Sequence, residues 1–177
     1  MPHGLCDAGH LLLADDRCKQ IIASEAAKAQ SGVSAGEFLS LVEKIVPIPL
    51  ELMGNIGSKV IARLGIKTGK AQKAISPHAF AYVLLGALCS LARNSLGIQS
   101  VMEAANACTI EAKIPSGIWS WEGKIRVAVL SQQGNTEIYA ETEIPGQMYD
   151  WGKSKRTINK LLTDIQELCE QFSGKGL

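Results

Sequence analysis

Aromatic residues are scarce: three Trp, three Tyr and three Phe make up 5% of the 177 residues. A core must therefore be built from aliphatic side chains. A hydrophobic content of 46% can supply one, which excludes a globally disordered chain. A surplus of one charge is also lacking. Eighteen Lys and Arg against seventeen Asp and Glu leave +1, and the basic residues are interleaved with acids, so no nucleic-acid partner is expected. Long apolar runs are missing as well. The longest, Ala79 to Ala92, is about 14 residues, short of the ~20 that cross a bilayer, so no transmembrane segment is read. Met1-Pro2-His3-Gly4-Leu5-Cys6-Asp7 has neither the basic start nor the apolar centre of a signal peptide, although Leu11-Leu12-Leu13 follows. The cysteines, Cys6, Cys18, Cys89, Cys108 and Cys169, are odd in number and form no CxxC pair, which points to a reducing cytoplasm.

What is present is a change of period. Ile110, Ala112 and Ile114 alternate with Thr109, Glu111 and Lys113, and Ile125, Val127 and Val129 alternate with Lys124, Arg126 and Ala128. This period of two predicts strands with one buried face. Gly134-Asn135 predicts a hairpin turn, since both residue types tolerate positive φ, and 137–143 leaves as a strand with Glu137, Glu141 and Glu143 on one face. Cross-strand pairing with Lys124 and Arg126 accounts for those acids. After Pro145-Gly146 the period becomes helical: Ile158, Leu161, Leu162, Ile165, Leu168 and Phe172 share a stripe, opposite Lys155, Arg156, Asn159, Lys160, Asp164 and Glu167.

The runs Trp119-Ser120-Trp121-Glu122-Gly123-Lys124-Ile125-Arg126-Val127, Thr136-Glu137-Ile138 and Ile144-Pro145-Gly146-Gln147-Met148-Tyr149-Asp150-Trp151-Gly152-Lys153-Ser154-Lys155 resemble a small α+β module of uncharacterised bacterial proteins. The resemblance covers roughly Ser76 to Phe172. It implies a helix, antiparallel strands and a final helix entered through an aromatic-Asp-Trp-Gly-Lys motif, and it carries no catalytic residues.

Ahead of this module the signals are helical. A first helix is expected from Asp15 to about Ala29, with Cys18, Ile21, Ile22 and Ala26 on one side. Ser34 and Glu37 have capping-box spacing and open a second, carrying Phe38, Leu41, Val42 and Ile45. A third, with Leu50, Met53, Ile56, Val60, Ile61 and Leu64, follows Pro47-Ile48-Pro49. The basic stretch Lys67 to Lys73 reads as a linker, dividing a helical region 1–73 from an α+β module 74–177. Ser76-Pro77 reads as the start of a fourth helix running to Gly97, with Cys89 as a small hydrophobe inside it, and 98–103 as a leading strand.

Candidate chemistry is thin. His3, Cys6, His10 and Cys18 lack the paired knuckles of a zinc site, so neither a metal nor a cofactor is expected. Gly65-Ile66-Lys67-Thr68-Gly69-Lys70 lacks the spacing of a phosphate loop. His78 reads as a surface residue of a helix first turn, and no nucleophile and base are positioned for catalysis. Asp150 reads as an N-cap and Trp151 as an anchor of the last helix. Trp119 and Trp121, two apart, face one way on an extended chain, capping the sheet or lining a groove.

The sequence thus predicts an α+β protein: a helical N-terminal region, then a helix, a three- to four-stranded antiparallel sheet and a long helix packed on one face. The favoured function is non-enzymatic binding or assembly through the N-terminal helices, with Leu41, Ile45, Met53, Val60 and Leu64 meeting a protein partner or a second copy. The alternative is a carrier of a lipid or other hydrophobic small molecule, held by Trp119, Trp121, Ile125, Val127 and Leu161 between helix and sheet.

Overall fold

A computed structural model describes residues 15–29, 34, 36–38, 40, 48–49, 70–104, 106–116, 122–144 and 152–175. The fold is α+β. Helix α1 (Asp16–Ala26) comes first, and β1 (Ile48–Pro49) is a two-residue strand. Strand β2 (Lys70–Ser76), helix α2 (Phe80–Arg93), strands β3 (Gly97–Ala104), β4 (Ala107–Ile114), β5 (Gly123–Gln132) and β6 (Asn135–Glu143), and helix α3 (Lys153–Lys175) follow. Residues 36–38 and 40 are also helical. The strand order is β1-β3-β4-β5-β6-β2. From β3 to β2 along this order every pairing is antiparallel, and β1 runs parallel to β3.

The sheet is larger than the expected three or four strands. The added strands are the short β1, at the stretch read as a link, and β2, which contains Lys70–Lys73 of the stretch read as a linker, so the division placed after Lys73 falls inside a strand. β2 closes one end of the strand order, where it pairs with β6 from Lys70↔Thr142 to Ser76↔Thr136. Its composition misled because such a position demands little burial: lysines are at home there, and Ile75 stands 58% exposed.

The alternation read in the sequence separates the two faces. Ile110, Ala112, Ile114, Ile125, Val127, Val129, Ile138 and Ala140 enter one core cluster with α2 and with the α3 stripe Ile158, Leu161, Ile165, Leu168 and Phe172. Gly86 lets α2 and α3 approach: a Cβ there would stand 3.3 Å from both Cys169 Sγ and the Ile165 carbonyl. α1 forms a further layer on α2, with Cys18, Ile22 and Ala26 in the same cluster, as is Phe38 at 1% exposure.

Helix ends follow local chemistry. Asp15 caps α1 by accepting the Arg17 N–H at 2.7 Å. Ser34 and Glu37 form the expected capping box, Glu37 N–H to Ser34 Oγ at 3.2 Å and Ser34 N–H to Glu37 Oε2 at 2.9 Å. α2 begins at Phe80, later than Ser76-Pro77 suggested, because Ser76 belongs to β2 and its hydroxyl accepts the His78 N–H. α3 begins at Lys153, directly after Gly152 at φ 72°. The β5–β6 turn sits one residue earlier than read: Gln132 pairs with Asn135, and Gly134 takes the positive φ of 82°.

Candidate functional site

The polar chemistry of the described residues gathers where α1, α2 and α3 meet. Arg93, in the last turn of α2, donates from Nε to Glu25 Oε2 of α1 at 2.9 Å and pairs with Asp164 Oδ1 of α3 at 3.3 Å. Lys28 holds the other Glu25 oxygen at 2.6 Å. Asp164 Oδ2 accepts from Asn94 Nδ2 at 2.7 Å and from Lys160 Nζ at 3.3 Å, and Lys160 also donates to Asn94 Oδ1. Glu25 and Asp164 are buried, yet each carboxylate meets two cations. Burial pushes the Glu25 carboxyl up, but the hydrogen bonds from Lys28 and Arg93 outweigh it and hold its pKa below the ordinary value. The same partners keep Arg93 charged: burial works against the cation, and Glu25 and Asp164 raise its pKa.

The end of α2 then shapes a cleft. Leu96 N–H donates to the Leu91 carbonyl and Ser95 N–H to that of Ala92, with Ser95 at φ 55°, which is a Schellman closure with serine where glycine is usual. It turns Asn94 toward α3 and drops Leu96 into the interior. Beside them opens a cavity of about 270 Å³. Among the described residues it is lined by Asn94, Leu96, Ile114 and Pro115, and by Arg156, Thr157 and Lys160 of α3. It lies at the end of β4, where the chain leaves the sheet toward 117–121.

The outer sheet face carries a second charged array. Arg126 lies in register with Glu111 on β4 and Glu141 on β6 and pairs with both, while Lys124 reaches Glu111 at 2.9 Å. The expected pairing of Glu141 with Arg126 is therefore present. Glu137 finds a different cation, Lys73 of β2 at 2.6 Å, whose Nζ also sits 5.1 Å from the Tyr139 ring centroid.

Of the ligand residues read from the sequence, Ile125, Val127 and Leu161 are packed in the main core cluster. Trp119 and Trp121 lie outside the described residues, as do Leu41, Ile45, Met53, Val60 and Leu64, and Asp150 and Trp151. Of the zinc candidates only Cys18 is described, and it is buried. Among the described residues no three of His, Cys, Asp and Glu gather to hold a metal, and no helix is long and apolar enough to cross a membrane.

The network around Arg93 escaped the sequence reading, although a signal existed. Asp164, read from the sequence as lying opposite the apolar stripe, is buried, three residues after Leu161 and four before Leu168, and Glu25 is buried three residues after Ile22. A charge at such a position implies a buried partner. His78 too is more engaged than a surface residue: its Nδ1 lies 2.8 Å from Ser173 Oγ. That hydroxyl already donates to the Cys169 carbonyl at 2.8 Å, so the pair clamps the end of α3 rather than freeing a nucleophile. The Cys169 thiol is pushed up to about 12, by burial first and then by Glu170. Cys89 and Cys108 are raised further by burial, so these sulfurs behave as small hydrophobes. Comparison with known proteins finds no matching family model, no matching curated protein and no matching solved structure.

Proposed function

We propose that the protein is a non-enzymatic binding protein that takes a small molecule in the cleft between the end of α2, the end of β4 and the start of α3. The cleft carries this reading: concave, floored by the aliphatic Leu96 and Ile114, and edged by a few polar groups, it has the make-up of a ligand site. At about 270 Å³ it lies below the roughly 300–1,000 Å³ of sites for drug-sized ligands, which favours a short molecule over a full lipid. The close packing of Ile125, Val127 and Leu161 supports the same choice, because it moves the binding place from the middle of the helix-over-sheet layer to its open end. A reducing cytoplasm belongs to the proposal, supported by four buried free cysteines among the described residues. So does kinship with the bacterial α+β module. Assembly through the N-terminal helices rests on the sequence argument alone. Phe38, the described aromatic residue of that region, is spent on the core.

Native mass spectrometry of the protein purified from cells tests the reading. A one-to-one adduct that is displaced on adding a second small molecule, and that is missing in Ile114→Trp, is the expected outcome. A bare mass in every preparation, with an unchanged spectrum for Ile114→Trp, would overturn it.

A further inference from the structure

We infer that the ligand of this cleft is a short amphipathic anion: a carboxylate or phosphate monoester on a small apolar body. The inference rests on the cleft reading above and adds the charge of the occupant.

Two cations line the cleft one helical turn apart, Arg156 and Lys160, with the Asn94 amide beside them and no carboxylate among its described lining residues. Their commitments differ. Lys160 is bound to Asp164 and to Asn94 Oδ1, and the Asp164 carboxylate is met by Arg93, Asn94 and Lys160 together. With Glu25, Lys28 and Glu167 included, three cations meet three carboxylates in that cluster. Arg156 has no ion-pair partner among the described residues, and its side chain is exposed at the rim. The unbalanced charge of the cleft is therefore the Arg156 guanidinium, whose planar fork suits a carboxylate or phosphate held by two oxygens. Among the described residues no acid stands in the first turn of α3. The opposite wall is aliphatic. Leu96 and Ile114 close the floor and are almost wholly buried, so the apolar surface open to a ligand comes mainly from exposed Pro115 and half-buried Thr157, which a bare inorganic ion would leave unused.

The experiment is a backbone and methyl NMR titration of the full chain with four probes: hexanoate, hexyl phosphate, hexanol and acetate. Hexanoate or hexyl phosphate should shift Leu96, Ile114 and Thr157 saturably, and whichever binds tighter identifies the headgroup. Hexanol, with the same body and no charge, and acetate, with the charge and no body, should each bind at least about five-fold more weakly, the factor expected of one partly exposed ion pair. Arg156→Gln should bring hexanoate down to hexanol, and Arg156→Lys should recover part of the difference. Arg156 is exposed, so both variants are expected to keep the wild-type spectrum outside the cleft. If hexanol matches hexanoate and Arg156→Gln changes nothing, the charge inference falls while the cleft reading stands. If no probe shifts the cleft up to about 10 mM, above the millimolar constants of weak specific ligands, both fall.

Discussion

Two clusters of the same ion types sit in this protein under different solvation. At the three-helix junction Arg93 joins Glu25 to Asp164, and all three side chains are largely withdrawn from water. On the outer sheet face Arg126 joins Glu111 to Glu141 with the same arrangement of one guanidinium between two carboxylates, but more open to solvent, at 30%, 18% and 17% exposure against 19%, 6% and 10% at the junction. The comparison teaches that pairing alone says little about energy. In the junction the charges have lost their hydration and depend on one another; on the sheet, water takes over when a partner leaves.

The largest expected effect tests the junction. Arg93→Met should cost about 3 kcal/mol or more in urea unfolding, because it leaves Glu25 and Asp164 buried with less counter-charge. The combined change Arg93→Met, Glu25→Met, Asp164→Leu should recover most of the loss. If Arg93→Met alone costs under about 1 kcal/mol, the junction is no more demanding than the sheet face.

Acid gives the next effect. Glu25 and Glu111 both have pKa values lowered from the ordinary carboxylate by their cations, after burial has pushed the other way. A lowered folded pKa means that the unfolded state binds protons first as pH falls. The stabilisation is therefore complete above the unfolded value of about 4.3 and is lost as pH falls through the folded value. Thermal unfolding should show midpoints falling steeply below about pH 4.3, and Glu25→Gln should flatten the slope more than Glu111→Gln. Equal flattening by the two would erase the distinction between the regions.

The smallest effect belongs to the sheet face. Arg126→Ala should cost about 1 kcal/mol or less, and part of that cost should vanish in concentrated salt, which screens the more exposed ladder. A loss as large as that of Arg93→Met, measured by the same urea titration, would show that the ladder is effectively desolvated too.

Much of the fold was legible because it is local. The α3 stripe, the alternation on β4, β5 and β6 and the Ser34/Glu37 box depend on residues a few positions apart, where helical and strand geometry dictate which side chains share a face. β2 was not legible, since Lys70–Ser76 carries few bulky residues and becomes a strand only through pairing with β6, as with Lys73 and Glu137, 64 positions apart. The candidate site was less legible still. Asp164 sits at the edge of the apolar stripe and was read onto the polar face, and its partner Arg93 lies 71 positions away. The lining of the cleft comes from the end of one helix, the end of a strand and the start of another helix.

The sequence by itself determined which residues face inward on each element, where most elements start and stop, and that the core is aliphatic, because backbone periodicity and capping act within a few residues. Only the tertiary structure decided which carboxylate meets which cation, that Asp164 and Glu25 are buried, and that Arg156 is left at the rim of a cleft. Those outcomes depend on how distant elements pack, and on which charges that packing removes from water.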